Sequence, residues 1–211
     1  ELSRDFGEVR VLRFQLPRTQ RVLFDFTAHW QDAQAYIQRA GTAHPCPLQT
    51  DGIPHGGRLG RGVATPLHTR FECGPGPLFI GAVVLEDLEL KPRHCIWQHP
   101  QGPEPITLHF RDVPLGSELL FSGGLYYEHE RMRQGAPLDI TLMLGDRELA
   151  LHHKDGEGFK TWRIPTDPRA QADVRVSVRA SDARSRGFCW TAQTLAARAD
   201  AAPSHTVSAT P

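Results

Sequence analysis

The chain has 211 residues, with 24 basic and 24 acidic side chains and a formal net charge of zero. That balance excludes nucleic-acid binding through bulk charge and attraction to anionic lipid, both of which need a basic excess. No segment carries the roughly eighteen apolar residues in a row that a membrane span requires, so no membrane insertion by this chain is expected.

The first half offers strand candidates at residues 9–16, 21–27, 69–73, 78–85 and 94–98. Between the second and third of these, Trp30, Ala33, Ile37 and Ala40 recur at helical spacing and Gly41 follows as a stop signal. The spacing predicts one short helix over 30–40. Residues 42–66 are rich in Gly, Pro and His and read as a long loop, a length that in a compact fold is functional or clipped down.

The second half alternates without room for helix, with strand candidates at 106–111, 118–127, 138–144, 148–152, 159–164, 174–180 and 188–194. Leu138, Ile140, Leu142 and Leu144 fall on one side of their strand, and Val174, Val176 and Val178 on one side of theirs. Successive strand side chains point to opposite faces, so each pattern marks a sheet with one buried and one wet side. Leu144-Gly145-Asp146-Arg147 and Asp155-Gly156-Glu157-Gly158 read as tight hairpins, with Gly supplying positive φ. Many short strands at close spacing mean a sandwich or barrel instead of βαβ units. From Ala196 onward the alternation stops, and 196–211 reads as an extended tail.

Arginine far outnumbers lysine, which occurs only at Lys91, Lys154 and Lys160, and asparagine is absent. The simplest source of that bias is a GC-rich bacterial genome, and it removes any N-glycosylation sequon. The chain opens at Glu1 without Met, as a mature end left by cleavage or a trimmed chain would. Cys46, Cys73, Cys95 and Cys189 are even in number and contain no C-x-x-C pair, which disfavours zinc ribbons, thioredoxin motifs and haem attachment. Disulfides in an oxidising compartment fit better, and four free thiols in a cytosolic protein are the alternative. Three connectivities are open; the favoured one pairs Cys46 with Cys73, pinning the first-half loop, and Cys95 with Cys189, tying a central strand to the last.

Three strings carry a family resemblance: Arg93-His94-Cys95-Ile96-Trp97-Gln98-His99-Pro100, Phe110-Arg111-Asp112-Val113-Pro114-Leu115-Gly116, and Gly187-Phe188-Cys189-Trp190. With them, residues 95 to 195 resemble a galactose-binding-like jelly roll, the fold of many carbohydrate-binding modules of secreted bacterial proteins. The resemblance implies a two-sheet antiparallel sandwich, a ligand site on loops at one end and, often, a structural calcium. No acidic cluster is dense enough to carry the calcium over, and no other cofactor is expected.

Sugar rings stack on exposed aromatics, which makes Trp97, Tyr126, Tyr127 and Trp162, with His99, the candidate ligand-binding residues. The competing reading puts the tryptophans, Trp190 included, in the sandwich interior. His152 and His153 are strand neighbours that point apart and cannot chelate one metal. His129-Glu130-Arg131-Met132-Arg133 starts like a zinc-protease motif but has Arg where the second His must stand, and the Glu128 to Arg133 charge run reads as a solvated strand end or loop. His44, His55 and His68 share the long loop and could converge on a metal, but scattered loop histidines read more simply as solvated; the stretch from Gly56 to Gly62, with its two arginines, could touch an anion but reads more simply as a flexible loop. Nucleophile elbows and phosphate loops are missing. Asp112, Glu118, Glu128 and Glu130 are the acids a glycan-active hydrolase would draw on.

The expectation is therefore an all-β, antiparallel jelly-roll-like sandwich with one short helix and a clipped loop. Residues 1–195 form one unit, with 1–94 adding strands, helix and loop to a core at 95–195, and 196–211 forms the tail. The leading function is a non-catalytic periplasmic or extracellular binding module, an accessory or structural subunit docked through tail residues Ala201, Pro203, His205, Val207 and Pro211 on protein partners of a larger assembly. A carbohydrate-recognition module is the alternative and a hydrolase the third reading.

Overall fold

A computed structural model of the chain describes residues 2–6, 9–13, 20–52 and 68–197. The strands are β1 (Leu2–Phe6), β2 (Val9–Arg13), β3 (Val22–Asp25), β4 (Gln34–Arg39), β5 (Thr42–Cys46), β6 (Leu48–Gly52), β7 (His68–Glu72), β8 (Phe79–Glu86) and β9 (Pro92–Gln98) in the first half. Then come β10 (Ile106–Leu115), β11 (Glu118–Leu125), a short helix α1 (Tyr127–Met132), β12 (Leu138–Leu144), β13 (Arg147–His153), β14 (Lys160–Pro165), β15 (Arg169–Ala180) and β16 (Phe188–Leu195). β1 and β2 pair with each other.

Two antiparallel sheets make the sandwich. One runs β13-β12-β15-β10-β4-β5 and the other β14-β11-β16-β9-β8-β7-β6, with β3 also paired to β16. The period-2 alternation read from the sequence is what turns one face of each sheet inward. Leu138, Ile140, Leu142 and Leu144 of β12, Val174, Val176 and Val178 of β15, and Ile106, Leu108 and Phe110 of β10 are buried. They share one core with Ile80, Ile96, Phe121, Phe188 and Trp190 of the other sheet. Each such side chain, fully buried, contributes roughly 1.5–3 kcal/mol of transfer free energy.

A single amide ties the sheets together inside that core. The fully buried Gln98 on β9 donates to Ile106 O and Val176 O on the facing sheet, each at 2.9 Å, and accepts from Trp190 Nε1 at 2.8 Å. A second cluster of Phe79, Val83, Leu85, Cys95, Trp97, Tyr126 and Cys189 lies on the other side of β8 and β9. Both expected disulfides are present, Cys46–Cys73 and Cys95–Cys189. No helix among the described residues is long and apolar enough to cross a membrane.

Four expectations need correction. The helix over 30–40 is instead one 3-10 turn, Trp30–Asp32, followed by the strand β4. Ala33, Ala35 and Ile37 are the buried set, a period of two, and Ala40-Gly41, both at positive φ, close the β4–β5 hairpin. A short apolar window fits either period, and Gly41 serves a hairpin as readily as a helix end; pairing with β10 decides it. The loop over 42–66 begins with β5 and β6, and 53–66, with His55 and the Gly56–Gly62 stretch, lies outside the described residues. Asp155-Gly156-Glu157-Gly158 is a turn, but it joins β13 of one sheet to β14 of the other and so crosses between layers. The Glu128 to Arg133 run is no solvated strand end: most of it forms α1, with Glu130 fully buried. The end of the predicted strand 9–16 and the tail residues Ala201, Pro203, His205, Val207 and Pro211 lie outside the described residues.

Candidate functional site

Four of the five candidate ligand residues meet at one end of the sandwich. Trp97 on β9 stacks on Phe79 with ring centroids 5.8 Å apart, lies 5.7 Å from the His99 ring and donates from Nε1 to Pro77 O at 3.0 Å. Tyr126 sits edge-on to Tyr127 at 4.6 Å and to His129 at 5.6 Å. Gly187 lets the group close: a Cβ there would come within 2.4 Å of the Trp97 ring, and its N–H donates to His129 Nδ1 at 2.9 Å. Trp97, His99 and Tyr126 are buried, however, and only Tyr127 keeps partial exposure, with Arg131 over its ring. Trp162 is elsewhere, on edge strand β14 against Phe121 with Lys160 Nζ over its ring.

Beneath this end lies a buried charge network that sequence reading missed. Glu130 accepts from His153 Nε2 at 2.7 Å, Leu125 N at 2.9 Å and Gly156 N at 2.7 Å. Arg186, fully buried, pairs with Asp155 and also donates to Ala136 O at 3.1 Å. Burial opposes ionisation of Asp155, but hydrogen bonds from Arg186 and Gly135 N–H outweigh it and pull its carboxyl down to about 2. Burial pushes His129 down to about 4, and it lowers His99 as well. His129 is thus a neutral acceptor at neutral pH. His152 and His153 do point apart, His152 to Asp139 at the surface and His153 inward. Of the acids a hydrolase would use, Glu118 opens β11 in an ion pair with Arg163 at 2.8 Å, and Glu130 is committed to His153 beyond the other end of that strand.

An open trough occupies the outer face of the six-stranded sheet. Strand register places Pro45, Tyr36, Thr107, Ser177, Thr141 and Ala150 in one continuous row across all six strands. Five steps between neighbouring strands give this row a length of about 24 Å. Its central members are short hydroxyl side chains, with Thr107 Oγ1 2.8 Å from Ser177 Oγ. Longer side chains stand on both sides. Gln34, His109, Arg175, Met143 and Glu148 form one neighbouring row, and Arg179, Asp139 and His152 stand along the other side.

At one end the trough deepens into a groove of about 500 Å³ lined by residues that include Tyr36, Gln38, Thr107, His109, Arg175 and Ser177. A second depression of about 630 Å³, sharing Met143 and Arg175, continues it toward the β12–β13 turn. Tyr36 is partly exposed at the end of the hydroxyl row, its Oη donating to Gln34 Oε1 at 2.5 Å. The combination of an accessible aromatic ring, aligned hydroxyls and amide or guanidinium groups can stack on and hydrogen-bond a sugar. Only Tyr36 among these carried an aromatic signal in the sequence, and it was hidden inside the predicted helix.

No protein-family model matches the chain, and no curated protein does. Among solved structures the chain is similar to a family 51 carbohydrate-binding module of Clostridium perfringens in complex with methyl-galactose, at 10% identity and TM-score 0.38 over 54% of this chain and 81% of that one. A second family 51 module of the same organism, in complex with GlcNAc and carrying further domains, matches at 9% identity and TM-score 0.39 over 84% of this chain and 41% of that one. A family 29 carbohydrate-binding module matches at 14% identity and TM-score 0.26 over 77% of this chain and 86% of that one. These are distant likenesses and assign no family. The two-sheet antiparallel sandwich itself stands on the strand pairings.

Proposed function

We propose that this chain is a non-catalytic carbohydrate-recognition module that works in an oxidising, extracytoplasmic compartment and seats a glycan along the trough of the six-stranded sheet. The observation that carries the reading is the row of short hydroxyl side chains in register across the strands, walled by longer polar side chains and ended by Tyr36. Pro45 and Ala150 at its ends are exposed and the four residues between them partly exposed, and at about 24 Å the row is long enough for several linked sugar rings. The two disulfides support the compartment, since such bonds persist where thiols are not kept reduced. Docking on a larger assembly rested on tail residues that lie outside the described part of the chain, and no observation favours it over glycan binding.

Affinity electrophoresis through gels containing soluble polysaccharides tests the reading. Tyr36→Ala removes the stacking ring and Thr141→Arg fills the floor; both positions face solvent, so thermal stability should hold while retardation by the bound polymer is lost. Trp162→Ala, on the opposite sheet, should keep the retardation. Loss with Trp162→Ala or Tyr127→Ala and none with the trough variants would move the site off this face. No retardation of the unmodified chain by any polymer would sink the carbohydrate reading.

A further inference from the structure

The groove at the Tyr36 end differs in charge from the rest of a chain whose formal charge is zero. Its lining includes Arg111, Arg175 and His109 and no carboxylate. The acids begin only in the adjoining depression, with Asp146 and Asp173. Asp173 lies 4.0 Å from Arg175 Nη2 and is already engaged by His109 Nε2 at 3.1 Å, while Asp112, the chain neighbour of Arg111, is exposed and is not among the groove's lining residues. Glu148 and Asp139 stand further along, on β13 and β12, with Asp139 held by His152 and Arg179.

Arg111 is placed there by a specific device. β10 breaks register with β15 between Phe110 and Val113, and Asp112 in the break takes a left-handed φ of 55°. Such a bulge bends the strand and re-aims the side chain beside it. Arg111 Nη2 then donates to Gln34 Oε1 at 3.2 Å, the same oxygen that accepts the Tyr36 hydroxyl. One neutral amide therefore fixes both the aromatic ring and the guanidinium. It leaves the other guanidinium donors unspent, and an arginine fork can pair two of its donors with two oxygens of a carboxylate or of a tetrahedral oxyanion. Arg175 stands exposed across the strand from His109.

Resting on the glycan reading above, we infer that the trough is selective for an acidic glycan, a linear chain whose sugars carry a carboxylate or a sulfate ester, with the anionic group seated on the Arg111–Arg175 side of the hydroxyl row. The aromatic ring and hydroxyls hold the sugar, and the two arginines read its charge.

The test is titration calorimetry on the full chain with four probes: polygalacturonate for the carboxylate, a sulfated galactan for the sulfate ester, a neutral galactan, and inorganic sulfate. Binding of at least one acidic polymer should exceed that of the neutral polymer about tenfold or more, in line with charge-assisted hydrogen bonds. The excess should shrink with added salt. Arg111→Gln and Arg175→Gln should each remove most of the excess, while Arg184→Gln, in an exposed pair with Asp182 elsewhere, should not. Which acidic polymer binds tells carboxylate from sulfate. Equal binding of neutral and acidic polymers, or an excess that survives both arginine variants, overturns the acidic selectivity and leaves the glycan reading standing. Inorganic sulfate binding as tightly as the sulfated polymer overturns it by showing an ion site alone. Binding of no polymer overturns both readings.

Discussion

Gln98 shows how much one buried polar side chain can decide. Its amide bonds the Ile106 and Val176 carbonyls of one sheet and the Trp190 indole of the other, inside a core of apolar side chains. Directional bonds of that kind fix the offset between two layers that hydrophobic contact alone leaves adjustable. Gln98→Leu keeps the volume but leaves the buried Trp190 indole N–H without its acceptor and removes the hydrogen bonds that two carbonyls of the facing sheet accept from the amide. The variant should lose about 2–5 kcal/mol, more than a volume-conserving apolar swap would cost. Urea denaturation measures it, and a loss under 1 kcal/mol would mean that water or a shift of the sheets replaces the amide.

At the scale of elements, α1 and the turns beside it depend on buried charge more than on apolar contact. The helix has six residues, too short to hold by propensity, and its buried member is Glu130. Glu130 joins it to β13 through His153 and to the following turn through Gly156 N. Arg186 and Asp155 join that turn to the segment before β16, and Gly135 leaves the space: a Cβ there would fall within 1.9 Å of the guanidinium. Arg186→Met strands the Asp155 carboxylate in the interior and should cost roughly 3–5 kcal/mol. Adding Asp155→Leu should restore part of that loss, because a buried pair removed together leaves less unpaired charge than one removed by half. Equilibrium unfolding of the single and double variants decides it; a double variant less stable than the single would contradict this account.

For the molecule as a whole, the same groups set the response to acid. His129 binds a proton in the unfolded chain near its ordinary value of 6.5 but in the fold only at about 4. Between those values the unfolded state holds more protons, so stability rises with pH and is lost as pH falls from about 6.5 toward 4. His99, also lowered, adds in the same direction. Asp155, pulled from 3.8 to about 2, contributes stability that is complete above its unfolded value and disappears as pH falls through the folded one. The urea midpoint should therefore be level above pH 7, decline below 6.5 and decline further below 4. His129→Gln should make the first decline shallower, leaving the share of His99, and should leave the second; a first decline unchanged in that variant would assign it to other groups.

Much of this architecture was legible because strand alternation is local. The four leucine and isoleucine positions of β12 and the valines of β15 announce their buried side without reference to any neighbour, and they suffice for an antiparallel all-β sandwich. Cysteine number and spacing likewise pointed to the two disulfides. The segment from Trp30 to Gly41 was not legible, because a window that short fits two periods and pairing with β10 chooses between them. Nor were the aromatic candidates' fates, since Trp97 and Tyr126 are covered by residues distant in sequence. The trough depends still more on tertiary structure. Pro45, Tyr36, Thr107, Ser177, Thr141 and Ala150 carry no shared motif and are spread between positions 36 and 177. They become one surface only through the register of six strands: turns fix β4 against β5 and β12 against β13, but the pairings of β10 with β4, β10 with β15 and β12 with β15 join segments far apart in the sequence.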